Sequence, residues 1–226
     1  MRRALQDNRS AYLLGSIAAD ARAGDGGERS DTHFYYYDQP ITSPPWRLMM
    51  EQYPTLHHAS SSAQRAFLAG YVAHLAVDEL WTMDMLRQHI AFSAWSASRH
   101  QRFYVLNLML ITMDERDLSR LESWIADSLN AAQPHDWLPF LDDPTLVKWR
   151  ELIYVQIEPG GVSITLNNVV GGRVGEKPEE IRADLDSPET MQRLVGQRTA
   201  RAILTNIEAR MYVYARDQLA SYWREY

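Results

Sequence analysis

The sequence predicts an all-α fold: one multi-helix domain spanning residues 1–226, with a single Gly-rich loop or small hairpin at 159–178. Three observations carry this. Apolar residues recur at helical spacing in most long segments. The stretch 159–178 breaks that pattern without any turn toward a second domain. No internal repeat, low-complexity tract or linker divides the chain. Its 226 residues, 46% of them hydrophobic, suffice for a core without covalent staples.

Residues 1–10 are short and polar. From Ala11 the positions Leu13, Leu14, Ile17, Ala18 and Ala21 mark a first helix. Residues 22–31, rich in glycine and charge, have loop composition. The aromatic run Phe34-Tyr35-Tyr36-Tyr37 follows, and Pro40, Pro44 and Pro45 argue against a helix through that region. Ser60-Ser61-Ser62 can cap a helix reaching about Leu80 or beyond. Its inward face reads Phe67, Tyr71, His74, Asp78, Trp81. A second long helix is expected from about Ser98 to Leu129, with Leu106, Met109, Met113 and Leu121 inward. Another covers about Pro144 to Gln156. Alternation around Asn167-Asn168 suits a hairpin, and the flanking glycines suit a lid-like loop. A last helix is expected from about Pro188 to Trp223.

Composition excludes several function classes. The 23 Lys plus Arg against 29 Asp plus Glu give a formal charge of −6, with no basic cluster, which argues against nucleic-acid binding through phosphates. The absence of cysteine removes disulfides, Cys-ligated zinc, iron–sulfur clusters and a thiol nucleophile. No apolar run approaches the roughly 18–20 residues of a membrane span. The start Met1-Arg2-Arg3-Ala4-Leu5 has no apolar stretch behind it, unlike a secretory signal, so a cytoplasmic location is expected.

Two ionisable residues sit in the apolar stripe of the Ser60–Leu80 helix. His74 and Asp78, four apart, share one face and can reach one cation; the alternative is a buried His–Asp hydrogen bond. Asp20 falls on the apolar face of the first helix, at i+7 from Leu13, unless it is merely an exposed helix end. His33 follows in Thr32-His33-Phe34. Two histidines and two carboxylates suit zinc, iron or manganese better than calcium or magnesium.

These residues lie in Leu14-Gly15-Ser16-Ile17-Ala18-Ala19-Asp20, in Thr32-His33-Phe34 and in Gly70-Tyr71-Val72-Ala73-His74-Leu75-Ala76-Val77-Asp78-Glu79-Leu80-Trp81. Residues 12–85 thereby resemble the bacterial zinc-dependent phospholipase C family, whose motifs are LGxIAPD, THF and GYxxHLxxDxxW. The resemblance implies an all-helical fold, related to fungal zinc nucleases for single strands. It also implies metal-dependent hydrolysis of a phosphoester, with Asp20, His33, His74 and Asp78 as ligands. The chain departs from the pattern in places. Ala19 replaces a proline, and no histidine precedes His33. Asp84 stands where a further histidine is expected, and His100 only partly matches a ligand on the next helix. One zinc ion or a tight pair is therefore expected rather than three, with iron or manganese as alternatives.

Asp84 or Asp25 could orient the attacking water or accept its proton. The expected partner is a small phosphoester or phospholipid head group. The rival reading is a helical binding or structural protein that retains a degenerate metal site without catalysis. Two weaker candidates are the His135-Asp136 pair, which resembles a phosphohydrolase dyad, and Tyr35-Tyr36-Tyr37, which could stack a base or a choline group.

Overall fold

Helices appear where the apolar period and the caps coincide. The computed structural model describes residues 1–24, 27–91, 98–161, 175–196 and 201–226. Among them no strand occurs, and the fold is all-α as expected. The 159–178 expectation falls mostly on residues 162–174, outside the described residues.

Helix α1 is Arg2–Asp7 and α2 is Arg9–Ala18. A single turn, α3, spans Ser30–His33; α4, Pro45–Gln52, begins with proline at its first position, where a missing N–H costs nothing. Helix α5, Ser62–Leu80, lies centrally, packing on α2, on α4 and on the C-terminal helix. Ser61 caps it, its hydroxyl accepting from the Gln64 N–H at 3.1 Å. Its chain continues in wider π-helical turns over Trp81–Ala91.

Helix α6 is Arg99–Leu118 and α7 is Trp124–Asn130, so the single helix expected over 98–129 is two. The break follows the charged run Asp114 to Asp117, where no apolar stripe holds the chain down. Ser119 ends α6 by turning its hydroxyl onto the Arg116 carbonyl at 2.6 Å. Leu121, expected inward, lies exposed in the connection.

Helix α8 is Asp143–Ile157, capped by Asp142. Helix α9, Pro178–Asp186, was not foreseen; it starts on Pro178 and buries Ile181. The long last helix is instead α10, Pro188–Met191, π-helical turns over Gln192–Gly196, and α11, Arg201–Glu225.

The largest apolar cluster joins Leu14, Trp46, Phe67, Leu75, Leu146 and Tyr222. A second joins Met85, Leu108, Ile181 and Ile207. Trp46 fixes α4 to α11, its indole N–H donating to Gln218 at 2.7 Å.

Candidate metal centre

The site begins where α2 crosses α5. A Cβ on Gly15 would lie 1.9 Å from the Phe67 carbonyl oxygen, and one on Gly70 would lie 2.1 Å from that of Tyr12. No side chain fits, so the two backbones touch. This contact sets the Ser16 carbonyl beside His74, one turn beyond Gly70, whose Nδ1 lies 2.9 Å from it. The Trp149 indole N–H donates to the Ile17 carbonyl at 2.9 Å and holds the end of α2, from which Asp20 leaves at once.

The third element is α3. Thr32 is buried, and its hydroxyl donates to the Ala19 carbonyl at 2.7 Å, tying α3 to the segment that carries Asp20. Tyr71 of α5 donates its hydroxyl to the Thr32 carbonyl at 2.8 Å. His33, fully buried, thereby faces His74.

Four side chains converge. The two Nε2 atoms lie 3.3 Å apart. His33 Nε2 is 3.4 Å from Asp20 Oδ1 and 3.2 Å from Asp78 Oδ2. His74 Nε2 is 3.8 Å from Asp20 Oδ2 and 3.8 Å from Asp78 Oδ2. Asp20, His33 and His74 each offer one ligand atom, all within 4.8 Å of one another. Ligands of one tetrahedral zinc ion, with bonds of about 2.0–2.1 Å, stand roughly 3.3 Å apart. The His33 separations match that edge, and the two 3.8 Å separations need only a small inward movement.

The outer hydrogen bonds fit the same ion. His74 Nδ1 meets a carbonyl, so that nitrogen carries the proton. His33 Nδ1 lies 3.1 Å from the Thr32 hydroxyl, whose own proton goes to Ala19, so His33 Nδ1 donates there. In the neutral rings this assignment turns both Nε2 lone pairs toward each other, an arrangement a cation stabilises. The donor set of Asp20, His33 and His74 therefore fits zinc, with the Asp78 carboxylate beside His33 and paired with Arg29.

Charge reinforces the cluster. With both rings protonated rather than neutral, burial still pushes the Asp20 carboxyl up, but the His33 hydrogen bond and the charges of His74 and His33 outweigh it and hold it below the usual carboxylate range. Asp78 is held well below that range: burial opposes, while the His33 hydrogen bond, His74 and Arg29 prevail.

The remaining expected residues lie elsewhere or are otherwise engaged. Asp84, in the π-helical turns, forms an ion pair with Arg210 at 2.6 Å. Asp25 lies outside the described residues. His100, in the first turn of α6, is 3.9 Å from Glu176 and largely exposed. Among the described residues, it belongs to no group that could hold an ion. His135 packs on the Trp137 ring, and the Asp136 backbone N–H donates to the Asp143 carboxylate. Tyr35 is buried, whereas Tyr36 and Tyr37 are exposed.

Sequence reasoning missed Arg29, hidden in the loop-like stretch before α3. Its guanidinium hydrogen-bonds Asp78 and approaches Asp20 Oδ1 to 3.6 Å. The one signal for it was its position four residues before His33.

Residues 1–152 match the family model for zinc dependent phospholipase C, a range that includes all four converging residues. No curated protein and no solved structure matches the chain. With two thirds of its residues matched and its Asp–His–His–Asp cluster inside the match, the chain belongs to the zinc-dependent phospholipase C family.

Proposed function

We propose that the chain is a zinc-dependent phosphodiesterase of phospholipase C type, holding one metal ion on Asp20, His33, His74 and Asp78. The observation that carries this reading is the pair of Nε2 atoms 3.3 Å apart, each ring oriented by a hydrogen bond at its other nitrogen. A bound zinc ion would supply Lewis acidity toward a phosphoryl oxygen and lower the pKa of water toward about 7.

The chain's own groups do the rest. His33 and His74 present lone pairs without reorganising, because Thr32 and the Ser16 carbonyl hold their rings. Asp20, whose side chain is 46% open to solvent, can keep one oxygen on the site and take the water proton on the other. The water oxygen then bonds to phosphorus as the ester P–O bond to the leaving alcohol breaks, and the proton passes to that alkoxide. Asp84 and Asp25 are the alternative acceptors, but the ion pair of Asp84 with Arg210 ranks it behind Asp20. The substrate class is a small phosphoester or phospholipid head group. Among the described residues no helix is long and apolar enough to cross a membrane.

The test is elemental analysis of protein purified without added metal, followed by turnover of chromogenic phosphodiesters and phosphatidylcholine vesicles. One zinc per chain and chelator-sensitive release of phosphoalcohol are expected. Zinc without turnover on any phosphoester would favour the structural reading, for which the neutralisation of Asp78 by Arg29 is the supporting contact. Absence of metal at saturating zinc overturns the proposal.

A further inference from the structure

We infer that Arg29 takes the place of a second metal ion: its guanidinium is a resident cation that limits the site to one zinc and anchors the anionic phosphoryl group. The inference rests on the metal reading above. A single side chain reaches both carboxylates of the cluster, bonding Asp78 and standing 3.6 Å from Asp20 Oδ1. Such bridging of two carboxylates is what a second divalent ion would otherwise do.

Arg29 is not a passing surface group. Its side chain is only 22% exposed. It also donates to the Tyr35 hydroxyl at 3.1 Å, and that hydroxyl pairs with Thr82 at 2.9 Å. The guanidinium carbon lies 5.6 Å from the Tyr35 ring centroid and 5.0 Å from that of Tyr37, within cation–π range. These contacts hold the fork in place, the nitrogen that bonds Tyr35 being the one that also bonds Asp78. Burial alone would lower the guanidinium pKa, but Asp78 and the tyrosines raise it above its ordinary value, so it stays charged.

Among the described residues, Asp20, His33 and His74 form the only group of three that could hold an ion, so a second ion would have to share the Asp20 and Asp78 carboxylates that Arg29 occupies. Charge gives the same count. Two carboxylates, Arg29 and one divalent ion leave one net positive charge, which a phosphodiester monoanion neutralises. Among the described residues the buried Arg29 Nε–H has no partner, and the fork is the right donor for a phosphoryl oxygen.

The experiment compares the full chain with Arg29→Gln, which keeps a hydrogen-bond donor but not the charge, and Arg29→Lys, which keeps the charge but not the fork. Each is stripped with chelator and titrated with zinc. Each is then loaded with one equivalent and titrated with inorganic phosphate, and circular dichroism checks folding. The parent should saturate at one zinc and Arg29→Gln at two, with Arg29→Lys remaining at one. At one zinc, Arg29→Gln should bind phosphate at least tenfold more weakly, and Arg29→Lys should fall between. A parent that binds two ions overturns the inference, as does an Arg29→Gln protein that stays at one ion. Unchanged phosphate affinity in both variants also overturns it. If Arg29→Gln does not fold, the Arg29→Lys stoichiometry and phosphate affinity decide alone: two ions or undiminished affinity would overturn it. A parent that binds no zinc sinks the metal reading instead, so the two failures are distinct.

Discussion

At the scale of single residues, Thr32 does more than its size suggests. Its hydroxyl relays the His33 Nδ1 proton's bond to the Ala19 carbonyl, so it aims a ligand and ties two segments at once. Thr32→Val keeps the shape and removes the relay. Zinc affinity should fall about 10–100-fold, as for other outer-shell partners of ligands. Stability should fall by about 1–3 kcal/mol from the two unpaired groups. Zinc titration and denaturant melts check both, and an unchanged affinity would relegate Thr32 to packing. Glu79 makes the opposite kind of contribution. Burial raises its carboxyl pKa although the Tyr214 hydroxyl donates to it at 2.8 Å. A carboxyl with a raised folded pKa binds its proton more tightly in the native state. Stability is therefore lost as pH rises from the ordinary glutamate range through the raised value. Glu79→Gln should stabilise the protein at pH 7 and do nothing below about pH 4. Equal melting shifts at both pH values would rule out that linkage.

At the scale of elements, the crossing of α2 and α5 decides whether the site exists. Gly70→Ala puts a carbon against the Tyr12 carbonyl and the Ser16 amide, both backbone, so the helices must separate. That moves Ser16 away from His74. A loss of at least about 1–3 kcal/mol is expected, as in other overpacked cores, together with weakened zinc binding. Gly70→Ala protein that melts and binds zinc like the parent would mean that the close approach is not required. This crossing was half legible in the sequence. Asp20, His74 and Asp78 betrayed themselves as charged residues in apolar stripes, because periodicity assigns each position a face. Arg29 did not, since its loop-like neighbourhood has no period to violate. Nor did the end of α6, where the terminating hydrogen bond of Ser119 lies in side-chain geometry rather than in pattern. Helix α9 was missed because a short helix with one buried residue, Ile181, barely disturbs a polar background.

At the scale of the molecule, two apolar clusters share their supports. Helix α5 lines the first cluster while Leu80 and Trp81 at its end pack on the second. Helix α11 sends Leu219 and Tyr222 into the first cluster and Ile207 into the second. We therefore propose that residues 1–226 form one cooperative domain. Thermal unfolding should show a single transition by circular dichroism and calorimetry, rising with zinc as RT ln(1 + [L]/Kd) and falling with chelator. Two separated transitions would divide the chain. The same arrangement bears on biosynthesis. All four converging residues emerge from the ribosome early, by position 78, whereas Leu219 and Tyr222 emerge long afterwards. Until they arrive, the first apolar cluster is incomplete, leaving Trp46 and Phe67 open to chaperones or to neighbouring chains. The residues of the candidate centre are thus synthesised first, and two of the side chains that complete the core beside them are synthesised last.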